Sequence, residues 1–572
     1  MVQRPTQRPA TIVCSNWARS PQNPIGGNFK HLEMLHKSFI FIAFWLLPIL
    51  LAATPPQGAL VHFDKAFYAS GEVVWYKLYL PVSMQGKMFS VRASVFSAPL
   101  NLVGEAYIPV EKNGVCQGYF QVPFDARASM YSFVFAVMRP DGATDELIRA
   151  HVLVYSDLGE WPQKTSLETV SAPAFPPLQA LKVEIVPAPE STFVPGGNVR
   201  LLIQVKDEIG HPMAAEASLS VTDAGLCGPE VLGTTGIYWN DHVPDAGEWL
   251  SGVFKSGFVK TPSGQLPSIN LIPVLDTETQ QLHFTKSAAG RFVVTLPPFE
   301  GERRLQIVSF PDEPFSVYWN ETESPASTPP VRYTEGVLRY LETSRKRKKI
   351  YQLYGQTEIS LQALPKKAEA PDWKGRQTFI VPNYEQFPDL ATFFQEVVWR
   401  VKFVKKGERY SANMYNSDTH ANFGAPPLFI IDRKATFDAD YIGKLDQSLI
   451  AEIDMLSDPK QLKKRYPAIG NGGVVRIRSI SGHLNLAEEK EREILKIQGV
   501  LPAVSFPLFS PDNGLPRIRP VTCWQPSFQT DREGKAAITF VQGDDRSTFC
   551  AEVVVQAPDG RRGYVRYCYE IN

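Results

Sequence analysis

This sequence predicts a mainly β chain of sandwich domains with one small α+β domain, and three observations carry that prediction. Short apolar runs return at sandwich-like spacing over residues 59–157, and again after 181 and after 518, separated by Gly, Pro and Asp turns. Proline is abundant, at 47 residues, while helical periodicity is confined to the middle of the chain. Within that middle, over residues 426–479, three strand-like runs alternate with two segments of helical spacing. At 572 residues the chain can hold several domains of roughly 100–200 residues each. Its formal charge is zero and its pI about 7.1, so no electrostatic argument points to nucleic acid.

Residues 38–53 (SFIFIAFWLLPILLAA) form an uncharged apolar run of 16 behind Lys37. A spanning helix needs about 20 such residues. The basic flank and the small residues Ala52 and Ala53 fit a secretory signal peptide over 34–54, with an uncleaved anchor as the alternative. Residues 1–33 are polar, rich in Arg and Pro, and add nothing a signal needs. Met34 is therefore the expected start, with 1–33 over-called. No Cys follows the run, which leaves a lipoprotein anchor without support. Export permits disulfides, and Cys550 and Cys568, in neighbouring predicted strands, are a candidate pair.

The first β unit covers 59–157. Residues 73–80 (VVWYKLYL) alternate, placing Val74, Tyr76, Leu78 and Leu80 on one face of a half-buried strand. Further strands are expected over 91–96, 106–110, 116–122, 131–138 and 150–155. The opening FDKAFYASGEVVWYKLYL resembles the start of an MG2-type macroglobulin domain, D-K-x-x-Y-x-x-G-E-x-V, in Asp64, Lys65, Tyr68, Gly71, Glu72 and Val74. A Pro-, Ser- and Gln-rich linker spans 158–180. A second unit over 181–312 follows, with strands at 199–205, 217–222, 292–296 and 304–310 and an irregular insertion at 227–281. Its ASLSVTD segment resembles a macroglobulin strand, so the resemblance implies a second macroglobulin-like, Ig-like β-sandwich.

Residues 313–336 read as another linker, and 337–375 as a helix with its connector. The helix carries the basic run Arg345–Lys349, expected to be a solvated face, with a membrane or nucleic-acid role as the alternative. Residues 376–480 form the α+β domain. Strands are expected at 378–381, 400–404, 428–431, 449–456 and 474–477, with helices at 389–397, 438–445 and 458–466. Asp458 is placed to cap the last helix. The order of Pro427, Leu428, Ile431, Asp432, Ile450, Ile453, Leu456, Asp458, Tyr466, Gly473, Val474 and Ile477 resembles the plug domain of TonB-dependent outer-membrane receptors. Two positions depart from that pattern: Arg433 and Pro467 stand where the family has Gly. The 93 residues after Ser479 are too few for the twenty or so strands, of about ten residues each, of a receptor barrel. A connector covers 481–517. The final 518–572 module resembles a macroglobulin-type opening in Trp524, Thr530, Asp531, Gly534 and Lys535, and is expected to pack on the second β unit.

Catalytic signatures are missing from the sequence. It contains no HExxH, no GxSxG elbow and no phosphate loop, and its nine His do not pair with Cys or carboxylates at metal-ligand spacing. Asp438 and Asp440 lack the Gly and Glu that would complete a calcium loop. Macroglobulin traps carry a G-C-G-E-Q thioester, of which Gly225-Leu226-Cys227-Gly228-Pro229-Glu230 is only an echo without the Gln. The resemblance implies an exported Gram-negative envelope protein, periplasmic or outer-membrane-associated, with no cofactor and no metal. The expected function is non-catalytic binding of a protein partner, an outer-membrane β-barrel complex in the first reading. A peptide- or protease-binding macroglobulin relative is the second, and an enzyme the third.

Overall fold

Sheet-forming residues dominate the structure, a computed structural model that describes residues 58–98, 101–161, 178–245, 247–267, 270–310, 314–320, 331–355, 361, 377–416, 418–484, 494–510 and 514–572. The 1–33 segment, the signal peptide at 34–54, most of the linker at 158–180 and residues 313 and 321–330 of the linker at 313–336 lie outside the described residues. Among the described residues no helix is long and apolar enough to cross a membrane.

The first sandwich stacks a four-stranded sheet on a five-stranded one. The first runs Ile237–Trp239, Leu60–Phe63, Val73–Tyr79, Val115–Gln121; the second runs Phe67–Ala69, Thr144–Tyr155, Ser129–Met138, Ser90–Ser97, Asn101–Pro109. Val74, Tyr76 and Leu78 meet Phe133, Phe135 and Val152 in the core between them. Strand Val73–Tyr79 is buried on both faces rather than half-buried. Its alternate residues Val73, Trp75, Lys77 and Tyr79 face a second domain, because two sandwiches share this sheet as a wall.

That second sandwich is assembled from two distant stretches. One sheet has the order Lys535–Val541, Asn198–Lys206, Lys182–Pro187, the other Val521–Gln529, Glu216–Asp223, Thr548–Gln556, Arg562–Glu570. The 518–572 module therefore does more than pack on the second unit: its strands interleave with those of residues 182–223. Cys550 and Cys568 form a disulfide at directly paired positions of neighbouring strands.

Residues 253–312 leave the second unit predicted for them and, with strand Ser316–Trp319 from the stretch predicted as a linker, build a third β domain. Its strands follow the order Ser316–Trp319, Val253–Lys260, Arg291–Leu296, Gln281–Ala288, Leu271–Asp276, Glu302–Ile307, Ile494–Gln498. The supposedly irregular 227–281 stretch thus contributes three strands, Ile237–Trp239 to the first sandwich and Val253–Lys260 and Leu271–Asp276 here. Glycine and proline within these runs (Gly257, Pro273) hide their alternation. Strand Ile494–Gln498 lies in the predicted connector and pairs with Glu302–Ile307.

The α+β domain is inserted in turn between Ser316–Trp319 and Ile494–Gln498. Its mixed sheet runs Gln377–Ile380, Ile450–Leu456, Val474–Ser479, Leu428–Ile431, Lys434–Thr436, the Leu428–Ile431 and Val474–Ser479 pair being parallel. Strand Val401–Lys406 does not complete this sheet as predicted but pairs with Arg409–Asn416 in a separate one, because residues 407–408 turn the chain straight back. The second sandwich, the third β domain and the α+β domain are therefore nested, each inner one interrupting the sequence of the one around it.

Helix Glu335–Leu353, capped by the Thr334 side chain, which accepts from Val337 N at 3.1 Å, clamps this assembly. Val337, Tyr340 and Leu341 pack on Phe67, Met130 and Tyr155 of the first sandwich and on Cys227 and Val231. The predicted solvated basic face is largely spent on the clamp. Arg347 pairs with Asp545 at 2.8 Å, Lys348 with Asp157 at 2.5 Å, and Arg345 donates to the Asp157 and Gly159 carbonyls.

Candidate functional site

The strand turn from Asp64 to Glu72 brings the first motif together as one buried knot. Gly71 adopts φ 77°, which an L side chain resists, and so lets Glu72 fold back beneath Ala69. The Lys65 ammonium pairs with the Glu72 carboxylate and donates to Tyr340 Oη at 2.7 Å. Tyr340 donates onward to Glu72 Oε1 at 2.5 Å, and Ala69 N donates to Glu72 Oε2 at 2.9 Å. Tyr68 donates to Asp64 Oδ1 at 2.5 Å, and the same oxygen accepts from Trp75 N at 2.9 Å. The Lys65 ammonium also lies 4.3 Å from the centre of the Tyr68 ring. Next to the knot, Asp157 receives Ser70 at 2.7 Å from one side and Ser344 of the helix at 3.0 Å from the other.

Burial pushes the Asp64 carboxyl up to about 7, against the pull of Lys65 and the two hydrogen bonds it accepts. Nearby His62 is held neutral, its pKa driven down to about 3 by burial and by the Lys77 ammonium. Its Nδ1 lies 2.7 Å from Ser218 Oγ, a spacing that suits a nucleophile and its base, but neither side chain meets solvent. The knot's open side is a shallow depression with room for only ≈ 20 Å³, walled by Glu72, Phe506, Arg519 and Val521. Among the described residues no group of three or more His, Cys, Asp or Glu could hold a metal ion.

The raised Asp64 pKa has a defined consequence. Folded protein keeps a proton that the unfolded chain has released once pH exceeds its ordinary 3.8, so this stabilisation is full at low pH and is lost as pH rises to about 7. We expect the urea midpoint of the native protein, relative to Asp64→Asn, to fall between pH 4 and pH 7. A difference that is flat across that window would show that Asp64 is ionised when folded.

The other motif residues lie elsewhere. Trp524 is buried against Val73, Trp75, Val521 and Phe506, edge-on to His62 at 5.1 Å, in the seam between the first and second sandwiches. Thr530 accepts from Ala215 N at 2.8 Å and donates to Met213 O at 3.0 Å. Asp531 accepts from Lys535 N at 2.7 Å, and Gly534 takes φ 70° where an added Cβ would meet Val205 O at 2.3 Å. In the α+β domain Asp432 takes φ 51° and accepts from Ser479 N, Ser479 Oγ and Leu484 N at 2.7, 2.8 and 2.7 Å. It is Asp432, and not Arg433, that occupies the left-handed position of this turn, so Arg433 in place of Gly brings no strain. Arg433 instead reaches Glu278 of the third domain at 2.6 Å. Asp458 caps helix Pro459–Arg465, Tyr466 is buried against Leu428 and Ile430, and Gly473, at φ 88°, lies where a Cβ would strike Met414.

Two tie points escaped the sequence reading. Lys77 is 0% exposed, pairs with the Glu216 carboxylate and donates to Ala217 O at 3.0 Å, joining the first two sandwiches. Gln306 makes a two-way amide bond to Ala435, its Nε2 to the carbonyl and its Oε1 from the N–H, each 2.7 Å, which seals one edge strand of the α+β sheet onto the third domain. The signal for Lys77 was present: Trp75 and Tyr79 flank it on the face assigned to solvent.

No family model matches this sequence, and no curated protein sequence matches it either. Among solved structures it is similar to trypsin-activated alpha-2-macroglobulin from Escherichia coli, at 9% identity and TM-score 0.23, over 91% of this chain and 42% of that one. It is also similar to Salmonella alpha-2-macroglobulin reacted with methylamine, at 8% identity and TM-score 0.24, over 91% and 40%. The chain thus spans about two fifths of the length of those proteins.

Proposed function

We propose that this chain is an exported, non-catalytic envelope protein whose β domains, macroglobulin-like in their motifs, form a rigid mount for the plug-like domain over 377–484. That domain binds a protein partner, an outer-membrane β-barrel complex, by strand addition. The observation that carries this reading is the asymmetry of its sheet. Gln306 caps the Lys434–Thr436 edge, whereas the opposite edge strand, Gln377–Ile380, leaves Gln377, Thr378 and Ile380 exposed, Ile380 at 43%. Among the described residues no strand pairs with that edge, and a short edge with an apolar side chain offers main-chain hydrogen bonds and one anchor to an incoming strand. The charged groups of the first motif support the same reading, since Lys65 and Glu72 are spent on Tyr340 of the clamping helix and Asp64 on Tyr68 and Trp75.

A photo-crosslinker in place of Thr378, used in intact cells and followed by membrane fractionation, tests this. The expected result is an adduct with an outer-membrane barrel protein, abolished when Phe379→Pro disrupts the edge. Adducts formed only from positions on the sandwiches, with soluble peptides or proteases, would replace this reading with that of a macroglobulin-like binder.

A further inference from the structure

The buried ion pair between the first two sandwiches has a third member. Glu216 receives the Lys77 ammonium on Oε1, while its Oε2 accepts from Asn113 Nδ2 at 3.2 Å. One carboxylate thus holds an amine on one oxygen and a carboxamide on the other. Lys77 stands on strand Val73–Tyr79, and Asn113 in the turn just before the neighbouring edge strand Val115–Gln121, whose first residue pairs with Tyr79. Glu216 comes from the second sandwich, where Ser527 Oγ at 2.5 Å and Gln529 Nε2 at 3.3 Å also donate to it.

Two features make this trio reactive. Burial brings the Lys77 pKa down to about 8, while Glu216, Glu111 and Cys116 pull it the other way. A buried amine that loses its proton so easily is a nucleophile. The other groups facing it do not take its proton: His62 is held neutral by burial and by Lys77 itself, and burial raises the Tyr79 hydroxyl well above its ordinary value. The second feature is Asn113 Oδ1, which is buried with no hydrogen-bond partner, so the Nδ2 bond alone orients the carboxamide. A half-turn about Cβ–Cγ presents that oxygen to Glu216 once the carboxyl carries a proton, which polarises the carbonyl carbon for attack.

We propose that Lys77 and Asn113 join in an isopeptide cross-link, with Glu216 carrying the protons. Glu216 takes a proton from the ammonium, and the freed Nζ lone pair attacks Asn113 Cγ to form the Nζ–Cγ bond. A second proton passes from Nζ through Glu216 to Nδ2, the Cγ–Nδ2 bond breaks, and ammonia leaves. Ammonium, carboxylate and carboxamide become an amide, a carboxylic acid and ammonia, so charge and hydrogen balance with no oxidant and no water. The reaction also replaces a buried ion pair, whose desolvation is costly, by neutral groups. It welds the edge strand Val115–Gln121 to its neighbour, and only after docking, because the proton carrier belongs to the other sandwich. In chains that have not reacted the ion pair persists.

Intact-mass spectrometry of the full chain, followed by digestion and peptide mapping, tests this. The protein is held folded at about pH 9, one unit above the Lys77 pKa, where most of the amine is neutral. The expected result is loss of one ammonia, about 17 Da, together with a branched peptide linking Lys77 to Asn113. Asn113→Ala should abolish both, and Glu216→Gln, which still forms hydrogen bonds but relays no proton, should slow them about a hundredfold. Circular dichroism spectra matching the native protein would show that the variants fold. Unchanged mass of the folded native chain, a branch to Gln529 instead, or ammonia lost through a succinimide between Asn113 and the Gly114 nitrogen would each overturn the inference.

Discussion

Lys77→Ala is expected to remove about 3–5 kcal/mol of stability, read as a lowered urea midpoint. The ammonium is fully buried in the seam between two sandwiches and faces a carboxylate that is itself buried. Removing it leaves Glu216 charged with only neutral donors, Ser527, Asn113 and Gln529, to stabilise it. The penalty is one of desolvation, so neutralising the partner as well, in Lys77→Met with Glu216→Gln, should recover a large part of it. The exposed pair Lys206–Glu184, at 3.5 Å, provides the contrast. Lys206→Ala should cost less than about 1 kcal/mol. Equal effects at the two sites would mean that water reaches the seam.

Trp524→Ala is expected to cost about 3–5 kcal/mol, the usual range for emptying a large buried aromatic site. Trp524 is 2% exposed and touches residues from both sandwiches, so the cavity opens between domains and not within one. Amide exchange should therefore accelerate in strand Val73–Tyr79 of the first sandwich as well as in Val521–Gln529. Acceleration confined to the second sandwich would show that the two unfold separately.

Much of the fold could be read from the chain because alternation is a local property. The strands over 73–80, 131–138 and 199–205 follow from it, and the Asp458 cap from an equally local signal, an Asp set just before a helix. Partner choice is not local. The Thr530–Ala215 hydrogen bond joins residues 315 apart, and no periodicity in either segment names the other. For the same reason the third domain was hidden, its last strand standing in what reads as a connector. Motif residues were easier to find than to interpret: in the structure Asp64 ties strands of its own sandwich, Lys65 and Glu72 engage Tyr340 of the clamping helix, and Trp524 fills the seam between two sandwiches.

The nested arrangement also sets a timetable for assembly. Strand Glu216–Asp223 takes both of its neighbours, Val521–Gln529 and Thr548–Gln556, from the far end of the chain. Roughly 300 residues must be synthesised in between, about 15–60 s at ~5–20 residues per second. During that interval the inner domains can emerge and close while Glu216–Asp223 waits with both edges bare, the condition in which nascent β proteins aggregate. Of the nested domains the outermost closes last, by the same strands that deliver Trp524 and the Cys550–Cys568 bridge, so the lock between the first two sandwiches is set only after the inner domains have formed.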